Sequence, residues 1–190
     1  MCFGLDVGKG LVPTLAFAYL WRRFLPDGQI LGEDGALYTP YETGPHAGAW
    51  LALQWVLVAV AAVLGHVFSP WLKFRGGKGV ATGLGSTLGL FPVVTVPGVL
   101  AFAIWYGVCK TTGYVGLASV AAAGSLPPLT AASGWALGLS LGETAVFVGL
   151  TGLLAAVVIA RHRGNLARIR AGTEPKAAWT GKAGPSGSEQ

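Results

Sequence analysis

Five stretches of this chain are each apolar over about the 20 residues that a helix needs to cross a bilayer. They run from Gly4 to Phe24, His46 to Ser69, Pro92 to Lys110, Tyr114 to Ala132 and Trp135 to Ala160. Runs such as WLALQWVLVAVAAVLG are apolar on every side, so the alternation of a barrel strand is missing and helices are the expected spanning structure. A sixth apolar piece, Val80 to Phe91, is too short to cross and is expected to be a short helix buried against its neighbours. The sequence therefore predicts an all-α integral membrane protein, a polytopic bundle of about six helical segments. An apolar share of 53% and a charged share of 11% over 190 residues agree with that class,.

A net charge of +5 would suggest nucleic acid in a soluble protein. Here the basic residues stand at the ends of apolar runs, where orientation and anionic headgroups explain them. If the spans alternate, Lys9, Lys73, Arg75, Lys78, Lys110 and the arginines after Ala160 fall on one side, which the positive-inside rule makes cytoplasmic,. Alternation requires that the segments between Val80 and Lys110 enter and return together. Residues 1–170 read as one polytopic domain, with a polar external loop at 25–46, a cytoplasmic loop at 73–80 and a disordered cytoplasmic tail at 171–190,. Cys2 and Cys109 have neither disulfide nor metal-ligand spacing,. The apolar run after Lys9 lacks a small-residue cleavage site, so a retained span is expected, not a signal peptide. The chain begins almost inside that span, which suggests further sequence upstream.

Between two apolar stretches stands FRGGKGVATG, Phe74 to Gly83. Arg75 and Lys78 flank Gly76 and Gly77, which let the backbone turn and aim N–H groups inward ahead of a helix entrance that favours anions. The run is not a nucleotide-binding P-loop, because the early glycine and the Ser or Thr after Lys are missing. A second cationic run, IARHRGNLARIRAGTEPK, follows the last span and returns to the same face. In it His162 and Asn165, three apart, share a helix face. Ser119 lies about one turn inside its span, where a serine commonly bonds its own backbone. His66 reads as a packing histidine, and Asp6 with Lys9 as a pair that lowers the cost of buried charge.

Together these blocks resemble the acyl-phosphate-dependent glycerol-3-phosphate acyltransferases (PlsY) of bacterial phospholipid synthesis, usually of seven helices. FRGGKGVATGLG is similar to the family's second signature, which has Lys where Arg75 stands, and RHRGNLARIRAGTEPK to its third, which has Glu at Gly164. LDVGKGLVP, LGHVFSP and YVGLAS match intervening helices in order. The family's first signature, a Ser-Gly-Asn and Ala-Thr-Asn loop ending in Arg, is not found. The resemblance implies transfer of a fatty acyl group from acyl phosphate to sn-glycerol 3-phosphate, giving lysophosphatidic acid at the cytoplasmic face of a bacterial inner membrane. Lys78, Ser119, His162 and Asn165 would be catalytic, and Arg75, Gly76, Gly77, Gly79 and Arg163 would bind substrate. No metal, cofactor or nucleic-acid partner is expected, and the oligomeric state is left open. The alternative is a truncated or inactive paralogue that binds phosphate or lipid without catalysis.

Overall fold

A computed structural model describes residues 3–24, 30–31, 37–38, 47–70, 73 and 76–177. Among them are seven helices: α1 (Phe3–Phe24), α2 (Ala47–Val67), α3 (Val80–Gly89), α4 (Thr95–Thr112), α5 (Val115–Ala136), α6 (Leu141–Arg161) and α7 (Arg163–Arg170). Between α1 and α2 a two-residue ladder pairs β1 (Ile30–Leu31) with β2 (Leu37–Tyr38), Ile30 opposite Tyr38. The rest of the 25–46 connection lies outside the described residues.

The fold is the all-helical membrane bundle expected, with one helix more than the sequence suggested. The last span stops at Arg161, His162 makes the junction, and α7 continues as a separate short helix. The boundary between the last two long helices also moves. Instead of restarting at Trp135, α5 runs on to Ala136, and α6 begins after Ser140. Gly138 takes a positive φ, and the Ser140 hydroxyl and Glu143 carboxylate satisfy each other's backbone N–H groups in a capping box,.

Helices α5 and α6 are long and apolar enough to cross a membrane, and Leu51–Val67 is a shorter apolar helix. The outward face of α4 exposes Val96, Val99, Leu100, Phe102, Ile104 and Tyr106. Such a continuous apolar surface would be costly in water and is at home in lipid. Inside, Val56, Val63 and Val67 of α2 pack with Leu90, Val94, Phe147 and Leu154. Small residues bring α1 against α3: side chains at Gly10, Gly85 or Gly89 would collide with Ser86, Val7 or Thr14,. The indole of Trp55 donates to the Thr14 carbonyl at 2.9 Å and ties α2 to the same helix. Because α2 ends, α3 begins, α4 ends, α5 begins and α6 ends at one end of the bundle, Lys78, Lys110, Arg161 and α7 gather there.

Candidate active site

The loop from α2 to α3 is shaped by its neighbours. Gly76 N–H donates to Val67 O at 3.1 Å, and the Arg161 guanidinium donates to Gly76 O at 3.0 Å and Gly77 O at 3.5 Å. In a trans peptide the N–H points away from its carbonyl. Carbonyls turned toward Arg161 therefore aim the N–H groups of Gly77 and Lys78 the other way, and neither finds a hydrogen-bond acceptor among the described residues. Gly79 follows at φ 79°, a conformation that favours glycine, and starts α3 without a side-chain cap,. The first-turn N–H groups of α3 thus add to the same anion-seeking surface.

Beneath the loop stands His66. Its ring abuts Gly77, where any side chain would strike Nε2. Its Nδ1 faces Asp6 Oδ1 at 3.6 Å, and that carboxylate, 8% exposed, accepts from Lys9 Nζ at 2.8 Å. The expected Asp6–Lys9 pair is present, and the packing histidine joins it to the glycine loop.

Across the bundle end, Lys78 Nζ donates to Asn165 Oδ1 at 2.7 Å, 87 residues away in sequence. Asn165 donates in turn to Glu174 Oε1 at 2.6 Å, and Arg168 Nε to Glu174 Oε2 at 2.7 Å. Asn165 can sit so close to α5 because position 116 is glycine; a side chain there would meet the Asn165 Cβ at 2.7 Å. The tail expected to be disordered from residue 171 is instead held through Ala177. Gly172 reverses the chain at φ 71°, Thr173 N–H donates to Arg168 O at 2.9 Å, and Ala177 N–H donates to Gly113 O at 2.9 Å. Residues 178–190 lie outside the described residues.

His162 is 2% exposed, and its Nδ1–H donates to Val158 O at 2.8 Å. Burial is the chief reason that its pKa is lowered, and the nearby Lys78 charge adds to it, against the pull of the Val158 carbonyl and Glu174,. The ring is therefore neutral near pH 7, with Nε2 as its remaining lone pair. Burial raises the Glu174 carboxyl, but hydrogen bonds from Asn165 and Arg168, with the charges of Arg168 and Lys78, outweigh it and leave the pKa lowered. Both shifts favour the folded state at higher pH. The His162 contribution is complete above the ordinary imidazole value, about 6.5, and is lost as pH falls and the buried ring must charge. Thermal unfolding in detergent should thus show a midpoint that drops between about pH 7.5 and pH 5.5, and His162→Gln should flatten that slope. An unchanged slope would count against a buried neutral ring.

Ser119 is 2% exposed and sits one turn along α5 from Gly116. Its hydroxyl donates to Val115 O at 2.9 Å and accepts from Trp105 Nε1 at 3.2 Å. It lines an apolar pocket of about 630 Å³, open mouth included, between α3, α4, α5 and α6, with Phe3 of α1 at its edge. Of its lining residues, Gly79 adjoins Lys78 and Val158 accepts from His162, so this end of the pocket borders the cationic cluster. Arg163 is exposed, and a step of two residues along α7 puts it on the face opposite Asn165, so it is not drawn into the cluster,. Arg75 lies outside the described residues. The structure thus brings Lys78, His162, Asn165 and the Gly76, Gly77 and Gly79 backbone to one mouth, with Ser119 deeper.

Residues 1–172 match a family model described as glycerol-3-phosphate acyltransferase. The chain belongs to that family. Among relatives named glycerol-3-phosphate acyltransferase, the one from Roseiflexus sp. is 43% identical over 177 residues, 90% of this chain and 82% of that one. The one from Geobacter sulfurreducens is 42% identical over 128 residues, 67% of this chain and 58% of that one. This alignment and several others cover less than two thirds of the relative's length. The fold is similar to crystal structures of PlsY, an integral membrane glycerol 3-phosphate acyltransferase, in its glycerol 3-phosphate form and its lysophosphatidic acid form. The first aligns with a TM-score of 0.62 at 26% identity, covering 92% of this chain and 68% of that one.

Three residues of this candidate site carry no functional signal in the sequence. Glu174 stands inside the third signature but falls in the segment expected to be a disordered tail, whereas it accepts from Asn165. Arg161 was grouped with headgroup anchors, yet it clamps the glycine loop. Trp105 carried no local signal, and only the antiparallel packing of α4 on α5 brings its indole to Ser119.

Proposed function

We propose that this chain transfers a fatty acyl group from an acyl phosphate to a primary hydroxyl of sn-glycerol 3-phosphate, leaving lysophosphatidic acid in the bilayer. The observation that carries the reading is the Lys78–Asn165 contact at the mouth of an apolar pocket. One end of the site suits phosphate and the other suits a hydrocarbon chain. Family membership supports the same chemistry. The gathering of basic residues at this end of the bundle supports a cytoplasmic active-site face in a bacterial inner membrane.

An acyl phosphate is already activated, so the protein must hold two phosphates against their repulsion and orient the hydroxyl. Lys78 supplies the charge. The N–H groups of Gly77, Lys78 and the first turn of α3 supply donors, while Asn165 and His162 orient what binds between them. The acceptor's hydroxyl oxygen bonds to the acyl carbon, the carbon–oxygen bond to phosphate breaks, and the departing phosphate takes the hydroxyl proton. No covalent enzyme intermediate is needed. The Ser119 hydroxyl is committed to the Val115 carbonyl and serves the pocket wall rather than the chemistry. In proteoliposomes, lysophosphatidic acid should form only when acyl phosphate and glycerol 3-phosphate are both supplied. Saturable phosphate or lipid binding with no product, by folded and inserted protein, would replace the enzyme with a binding protein.

A further inference from the structure

Resting on the reading that the apolar pocket receives the acyl chain, we propose that Gly83 is the position that sets how long that chain can be. Helix α3 has two working faces. Gly85 and Gly89 meet α1, where a side chain would collide. Gly79, Gly83 and Thr87 recur every four residues along the other face and line the pocket,.

Each pocket glycine can be asked why it has no side chain. Gly79 needs its positive φ. A Cβ at Gly98 would come within 2.6 Å of Thr87 Oγ1. Gly83 has neither reason: its φ is helical, and a Cβ built there meets nothing within 4 Å. Glycine in a helix interior is otherwise unfavourable. What its missing side chain provides is open space inside the pocket.

That space lies at mid-depth. Helical rise puts Gly83 about 6 Å below Gly79 and Thr87 about 6 Å below that. The opposing walls run in the same sense. Trp105 and Ser119 stand about a turn or two below the mouth, and Gly98 and Leu126, seven residues farther along α4 and α5, stand at the deep end. A branched side chain at Gly83 would close the bore above the deep end, leaving room for a short acyl chain and none for a long one. It would not touch the Lys78–Asn165 contact.

The test compares hexanoyl phosphate with palmitoyl phosphate as donors to the full chain in proteoliposomes. Gly83→Leu should raise the hexanoyl-to-palmitoyl rate ratio by at least about tenfold, the discrimination a closed apolar pocket supplies. Gly83→Ser should raise it less, and both should keep the KM for glycerol 3-phosphate. An unchanged ratio in active Gly83→Leu protein overturns the proposal. Should that variant not insert, Leu126→Trp at the deep end should depress palmitoyl transfer and spare hexanoyl, and equal effects on both would overturn it too. If the unaltered chain transfers from neither donor, the functional reading fails separately. Uptake of a spin-labelled palmitoyl chain then decides the role of Gly83, with loss in Gly83→Leu expected and equal uptake contradicting it.

Discussion

Lys78→Ala is expected to lower acyl transfer by a factor of about 10²–10³, the size of effect seen when one preorganised charge-stabilising group is removed. The side chain is exposed, and it donates to an amide oxygen, Asn165 Oδ1 at 2.7 Å. Little packing is lost with it, so insertion and thermal stability should change by no more than an exposed hydrogen bond, about 0.5–1.5 kcal/mol. The catalytic loss follows from what remains. Two phosphates would have to approach each other over backbone N–H groups alone, which orient an anion but carry only partial charge. Lys78→Arg should rescue poorly, because a planar fork beside Gly79 cannot place its charge where a compact ammonium does. Steady-state rates in proteoliposomes, with circular dichroism on the same samples, check both statements. Near-native turnover by Lys78→Ala would remove this residue from the site.

Much of this site was legible from residue order because a membrane restricts the alternatives. Once apolar runs are assigned as spans, alternation brings the Gly76–Gly79 loop and His162 to one face, and charge asymmetry agrees. What alternation cannot supply is helical phase and chain reversal. Arg163 and Asn165 are two apart in sequence and so lie on opposite sides of α7, a separation that a listing of basic residues conceals. Glu174 enters the cluster only because Gly172 turns the chain back at φ 71°. A carboxylate in a small, polar segment has no periodicity to mark it. Apolar content falls gradually at the end of α5 and marks no sharp boundary, while Gly138 and the Ser140–Glu143 cap decide the actual break. The pocket is invisible in the sequence for a different reason: its walls come from five helices, and no single segment encodes it.

Asn165 makes the sharpest demand on chemistry, since its amide oxygen accepts from Lys78 while its amide nitrogen donates to Glu174. Asn165→Ala should lose about 10–10²-fold in transfer, as Lys78 is untethered and Glu174 keeps Arg168,. Asn165→Asp should lose more near pH 8, although it is the smaller change in shape. The new carboxylate would still accept from Lys78, but its second oxygen would face Glu174 across the present 2.6 Å contact with no proton between them. Two carboxylates at that distance cannot both stay ionised, so either the clamp opens or the pair takes up one proton and titrates as a unit with a raised apparent pKa. A raised acid pKa favours the folded clamp at low pH and is lost as pH rises through it. The variant should therefore recover part of its deficit in activity and thermal midpoint, relative to the unaltered protein, as pH is lowered toward about 6. The unaltered protein should lose stability over the same interval as His162 charges. A flatter or reversed slope in the variant would establish Asn165 as the neutral bridge between Lys78 and Glu174, and parallel slopes would show that Glu174 does not face this side chain in the folded protein.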